Sequence, residues 1–183
     1  MHPRTQATDG EIVRAVLAGD RERYAQLVER YRDRYARYAA RMLGSLDAAE
    51  DAVQDAFVRA FDQLSQCKDP DKFIGWFFLI LRNRCFAERR RWSREGRRLE
   101  ITDEAVAGPG GSDGRLERAE RTRALERALL ELTAEQREVF VLKHYEELSY
   151  DEISRTTGAT VASLKMRMHR AYDKLRELLK EHA

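Results

Sequence analysis

The chain has 183 residues, 43% of them hydrophobic and 36% charged, with a formal net charge of only +2. That length allows one domain or two small ones, and the composition suits a mostly helical protein rich in Arg, Glu, Ala and Leu. So small a bulk charge names no partner by itself, so the distribution of charge has to carry that argument. The longest apolar run, Phe73 to Leu81, falls far short of the ~20 residues a membrane span needs and reads as buried core.

Taken in chain order, the first helical pattern runs from Glu11, with Ile12, Val13, Val16 and Leu17 recurring. The polar opening before it is no secretory signal. Gly19-Asp20 breaks the period, and Asp20 is placed to cap the next helix, Arg21 to Leu43, which Gly44 ends. A third helix spans Leu46 to Leu64, with Val53, Phe57 and Phe61 inward. The segment SQCKDPDK is a loop. A fourth helix starts near Pro70-Asp71, where proline is tolerated in a first turn, and reaches Arg94.

Composition then changes. Gly96 to Gly114 contains Gly108-Pro109-Gly110-Gly111-Ser112 and no sustained apolar period, so it reads as a flexible linker. Residues 1–95, 96–114 and 115–183 are therefore expected to be a helical domain, a linker and a second helical domain. In the last of these, Leu116, Ala119, Leu125, Leu129 and Leu132 mark one helix. Thr133-Ala134-Glu135-Gln136 and Ser149-Tyr150-Asp151-Glu152 are capping-box patterns that open two more. No alternating strand pattern of useful length occurs, so the expected class is all-α.

The final helix follows a Gly158 turn, with Thr160 as its N-cap. At ~100° per residue, Val161, Leu164, Met168, Ala171 and Leu175 gather on one side. Ala162, Met166, His169 and Arg170 lie opposite, and Lys165 and Arg167 flank the boundary. A capped helix, a glycine turn and a second helix make a helix-turn-helix, whose second helix enters the DNA major groove. Arg and Lys there can reach guanine edges or phosphate, and the amides at the helix start can hold a phosphate. A solvated amphipathic face is the competing reading. Outward-facing Met166 argues against it, because an exposed apolar side chain needs a partner.

The first domain carries two contrasting surfaces. Asp51, Gln54 and Asp55 sit at i, i+3 and i+4 and share a helix face, which would repel DNA and suits a basic protein surface. The fourth helix ends in a run of arginines interleaved with Trp76, Phe77, Phe78, Phe86 and Trp92. Arginine binds phosphate and aromatics stack on unpaired bases, although Trp76, Phe77 and Phe78 should serve the core. Trp92 is open to either role. The apolar positions of this helix are committed to packing, which disfavours a membrane-surface role. Cys67, Cys85 and His169 lack metal-ligand spacing, and the cysteines read as free thiols of a reducing cytoplasm. No phosphate-cradling glycine loop, nucleophile–base pair or metal cluster stands out, so neither an enzyme nor a cofactor is expected.

Three stretches in this order resemble one family: AEDAVQDAFVRAF (49–61), FIGWFFLILRNRCFAERRR (73–91) and LTAEQREVFVLKHYEELSYDEISRTTGATVASLKMRMHRAYDKLRELL (132–179). The chain resembles the extracytoplasmic-function (ECF) group of bacterial sigma factors from Glu11 to Leu179. That resemblance implies bacterial cytoplasm, core RNA polymerase and promoter DNA as partners, and a cognate anti-sigma factor. It implies that Asp51, Gln54 and Asp55 dock on the coiled-coil clamp of the largest polymerase subunit. The loop Gln63 to Asp71 and the following helix, with Lys68, Lys72, Arg82, Asn83, Arg89 and Arg90, would recognise and open the −10 element. Thr160, Ser163, Lys165, Met166, Arg167, His169 and Arg170 would read the −35 element. The linker would run near the RNA exit path, and no sensor domain is expected after the last helix. A free-standing helix-turn-helix regulator is the alternative, but it leaves the acidic face and the basic helix without roles.

Overall fold

The computed structural model describes residues 7–96 and 113–180. Among the described residues there are eight α-helices and no strand. The first unit comprises α1 (Asp9–Leu17), α2 (Tyr24–Leu43), α3 (Leu46–Asp62) and α4 (Phe73–Arg94). The second comprises α5 (Asp113–Leu130), α6 (Ala134–His144), α7 (Tyr150–Thr157) and α8 (Val161–Lys180).

Local chemistry sets most boundaries. Helix α1 begins two residues before the expected Glu11, because Thr8 caps it and Glu11 reaches back to the Thr8 amide. Asp20 does not cap α2. Its carboxylate takes Arg23 at 2.9 Å, and a 3-10 turn over Arg21–Arg23 precedes the helix. Gly44, at φ 73, ends α2 in the left-handed conformation. Ser45 accepts a hydrogen bond from the Ala48 amide and starts α3. That helix stops at Asp62, earlier than its apolar period suggests, and Leu64–Gln66 forms a separate 3-10 turn. Another such turn, Pro70–Lys72, leads into α4 after Asp69 caps it. Both capping boxes of the second unit form as the sequence predicts.

The first unit closes around stacked aromatics. Phe57 of α3 and Phe77 of α4 lie 4.3 Å apart between ring centres, and the Tyr24 hydroxyl donates to the Phe57 carbonyl at 2.9 Å. Trp92 is buried and belongs to this packing rather than to a surface. Both cysteines are free and buried, and burial pushes the Cys85 thiol up to about 12. In the second unit Ile153, Leu164, Met168, Ala171 and Leu175 join α7 and α8 to α6.

The units also touch each other. Helix α2 contacts α5 and α6, and α4 contacts α7. Most of the expected linker, residues 97–112, lies outside the described residues, as do the side chains of Leu116 and Ala119. Helix α5 begins at Asp113, so the last two residues assigned to the linker are helical.

Candidate nucleic-acid and protein interfaces

The helix-turn-helix is built by local signals. Ser149 and Glu152 cap α7, and Gly158 ends it at φ 76. Hydrogen bonding to Ser149 holds the Glu152 carboxyl below the usual glutamate range. The Thr160 hydroxyl accepts the Ser163 amide at 3.2 Å and so caps α8. Leu164, Met168, Ala171 and Leu175 are buried, which fixes the rotation of α8 about its axis. That rotation leaves Lys165, Met166, His169 and Arg170 exposed, with Met166 at 54%. Thr160 is exposed beside them, and Ser163 is half-buried. Arg167 is half-buried on the flank of the helix, where its charge favours the ionised form of Glu138. The His169 ring nitrogen lies 3.3 Å from the Asp173 carboxylate.

Tyr150 adds a feature the sequence reading missed. The ammonium of Lys143 lies 5.4 Å from the Tyr150 ring centre and that of Lys165 lies 6.0 Å from it, on the same ring. Lys143 also donates to the Leu148 carbonyl at 3.2 Å. Three residues from α6, α7 and α8 thus form a cationic group beside the start of α8. Helical periodicity within single elements cannot reveal a cluster assembled from three of them.

In the first unit, α3 presents Asp51 and Gln54 to solvent. Asp55 differs from both. It is half-buried, and its carboxylate pairs with Arg59 at 2.9 Å and with Arg84 of α4 at 3.0 Å. Beside Gln54 a groove between α2 and α3 is lined by Val28, Val53, Phe57 and Phe61, with a volume of about 760 Å³.

The arginines of α4 divide between faces. Asn83 and Arg90, seven residues apart, are exposed, as are Lys68 and Lys72 in the preceding loop and turn. Lys72 reaches back to Asp69 at 3.0 Å. Arg82 and Arg89, also seven apart, face the second unit. Arg82 makes a two-pronged pair with Glu138, and Arg89 donates to the Met42 and Leu132 carbonyls. Arg84 and Arg91 both pair with buried Glu88. The open basic surface of α4 is therefore smaller than its composition implies. Intramolecular carboxylates and carbonyls already hold Arg82, Arg84, Arg89, Arg91 and, through the Arg90 carbonyl, Arg94.

Among the described residues no cluster of three or more His, Cys, Asp or Glu could hold a metal ion, and no helix is long and apolar enough to cross a membrane. These helices and surfaces follow the layout of a known family. Residues 27–95 match the model for sigma-70 region 2, and residues 122–175 match that for sigma-70 region 4. The ECF sigma factor SigW of Bacillus subtilis is 31% identical over 182 residues, covering 92% of this chain and 95% of SigW. SigE of Mycolicibacterium smegmatis is 34% identical over 163 residues, covering 86% of this chain and 62% of its own length. Among solved structures, CnrH in complex with the cytosolic domain of CnrY superposes with a TM-score of 0.66 at 30% identity, covering 96% of this chain and 99% of CnrH. The sigma factor RpoE of Bartonella quintana, bound to the anti-sigma factor NepR, gives 0.65 at 27% identity and covers 86% and 96%. The chain belongs to the ECF group of RNA polymerase sigma factors.

Proposed function

We propose that the two surfaces of this sigma factor divide promoter recognition as follows. Helix α8 reads the −35 element through Lys165, Met166, His169 and Arg170, while Thr160 and Ser163 place the helix start against phosphate. Arg167 supports from the flank. The turn before α4, with Lys68 and Lys72, and the exposed stripe of Asn83 and Arg90 engage the −10 element, joined by Arg82 and Arg89 once the units separate. Asp51 and Gln54 dock on a basic surface of core polymerase. Asp55 supports that face while holding Arg59 and Arg84. Residues 1–95 and 115–183 then act as separate reading heads in the bacterial cytoplasm, without catalytic chemistry of their own.

One observation carries this reading: the exposed face of α8. Four buried positions at helical spacing, Leu164, Met168, Ala171 and Leu175, lock the helix, so its opposite side, with an exposed Met166 among cations, is presented as a fixed surface. Such a surface fits a major groove, where an apolar side chain can meet a thymine methyl group and arginine a guanine edge. Holding two weak readers on one large partner raises their effective concentration at two spaced elements. Contacts to unpaired bases then offset the cost of unstacking them.

An anti-sigma factor is the expected protein antagonist, because two structurally similar chains were solved with such partners or with a cytosolic domain in that place. Run-off transcription with purified core polymerase and a genomic promoter library tests the whole reading. New start sites sharing two spaced upstream elements are expected. Discrete binding to naked duplex DNA with no polymerase-dependent transcripts would favour a free-standing regulator instead.

A further inference from the structure

Helix α4 turns one stripe into the first unit, and one member of that stripe is a carboxylate. Phe77, Leu81, Cys85, Glu88 and Trp92 follow one another at helical spacing, and all of them are buried. Glu88 is only 6% exposed. A leucine at that position would fill the stripe with no charge to desolvate. Exchanging a buried ion pair for apolar packing is often neutral or stabilising. The carboxylate therefore points to a task other than packing.

Its partners indicate the task. Arg84 donates through Nη1 to one Glu88 oxygen at 2.7 Å, and Arg91 donates through Nη2 to the other. Arg84 is anchored from its far side as well. Its Nε lies 3.0 Å from the Asp55 carboxylate of α3, which also holds Arg59 at 2.9 Å. The Glu88 hydrogen bond, outweighing burial, makes Arg84 hold its proton more tightly than usual. Arg59, Asp55, Arg84, Glu88 and Arg91 thus form a row of alternating charge that runs from α3 to the edge of α4. The row ends on Arg91, whose side chain is 54% exposed. Arg91 lies ~100° round the helix from Arg90, on the border of the exposed Asn83–Arg90 stripe. Glu88 takes its Nη2, and Glu95 stands 3.8 Å from its Nε, beyond hydrogen-bonding distance. Donors of the fork remain available to another acceptor. A guanidinium fixed on one side is already ordered for a phosphate on the other, whereas a free arginine loses rotamer freedom when it binds.

We propose that Glu88 is a positioning residue: it fixes Arg91 at the edge of the −10 surface, so that the guanidinium meets a phosphate of the promoter strand already ordered. Arg91 is thereby a further DNA contact, and Glu88 acts through it without touching DNA. This role rests on the −10 assignment of the Asn83–Arg90 stripe. Removing Glu88 has two effects of opposite sign. It takes away a negative charge that repels the strand, and it releases Arg91.

Binding of a fluorescent mixed-sequence single-stranded 20-mer by holoenzyme, reconstituted from core polymerase and the full chain, tests this. Anisotropy titrations are run at several salt concentrations, with core polymerase alone as background. Arg91→Ala should flatten the slope of log affinity against log salt by about 0.7, the loss expected for one single-strand phosphate contact. Glu88→Leu should weaken binding by about two- to tenfold, the cost of ordering one long side chain on binding, without lowering helicity or the melting temperature. In an Arg91→Ala background, Glu88→Leu should weaken nothing further. If Glu88→Leu does not fold, Glu88→Met, unbranched and adaptable in a core, takes its place.

Unchanged or tighter binding by Glu88→Leu, which net charge alone predicts, would overturn the proposal. An equal loss with and without Arg91 would mark a merely structural carboxylate and overturn it too, as would an Arg91→Ala slope equal to that of the wild type. Run-off transcription with Arg90→Ala tests the −10 assignment separately. If Arg90→Ala loses transcripts while Glu88→Leu binds like the wild type, only the positioning role fails. If Arg90→Ala transcribes normally while the Arg91-dependent loss is seen, the positioning role stands and the −10 assignment of the stripe fails.

Discussion

Arg137 is the most completely buried cation among the described residues, at 0% exposed, and among them no carboxylate forms an ion pair with it. Burial, then the neighbouring charge of Arg89, lowers its proton affinity well below the usual arginine value. The Leu129 and Met42 carbonyls, at two helix ends, compensate by accepting its hydrogen bonds. Arg137→Leu should therefore leave the Leu129 carbonyl with only the Leu132 amide, at 3.3 Å, and the Met42 carbonyl with only Arg89 as side-chain donor, destabilising the fold by about 1–3 kcal/mol in urea unfolding. On the opposite surface, Arg170 is exposed and its removal should leave stability unchanged. Arg170→Ala should instead cost about 1–3 kcal/mol of −35 binding if it contacts a base, read as promoter occupancy with polymerase. Glu152 supplies a pH test. Its folded carboxyl holds a proton less tightly than the unfolded one, so the unfolded chain binds more protons below ~4.3. Stability from this group is full above that value and is lost as pH falls through the depressed folded value. Ser149→Ala should flatten that part of the melting-temperature profile between ~pH 3 and 5.

Two helices end on a left-handed glycine, and the pair separates backbone strain from packing. Gly44 and Gly158 have nearly equal angles, φ 73 and φ 76. A Cβ at Gly158 meets open space, whereas one at Gly44 would lie 2.4 Å from the Leu130 side chain of α5. Gly158→Ala should cost the left-handed penalty alone, about 1–2 kcal/mol. Gly44→Ala should cost more and should also loosen the contact between α2 and α5, detectable as faster hydrogen exchange at the end of α5. Element geometry bears equally on docking. Asp51 is free of ion pairs with α4, while Asp55 ties α3 to Arg84. Asp51→Arg alone is thus the clean test and should abolish binding to core polymerase with the fold intact. Asp55→Arg would confound docking with lost packing between α3 and α4.

At the scale of the molecule, the two units meet through a part-exposed rim pair, Arg34–Glu146, and a buried pair, Arg82–Glu138. The rim pair should weaken with salt far more than the buried Arg82–Glu138 pair, so moderate salt should loosen the rim first.

Much of this was legible along the chain. The 3.6-residue period, the Thr133–Gln136 and Ser149–Glu152 capping boxes, and Gly44 and Gly158 are local features, and local features determined the all-α class and which side of α8 faces out. The exposed set Lys165, Met166, His169 and Arg170 followed from the buried positions alone. Helix starts were misread where a side chain chose another partner, as Asp20 did with Arg23. The fate of the α4 arginines was not legible at all. Arg82 and Arg90 look alike in sequence, yet one grips a buried glutamate 56 residues away and the other meets solvent. Spacing along one helix says which residues share a face, but the partner opposite that face comes from a distant segment. Only tertiary packing decided that Arg82 and Arg89 meet carboxylate and carbonyl oxygens, because satisfying buried polar groups is a property of the assembled fold.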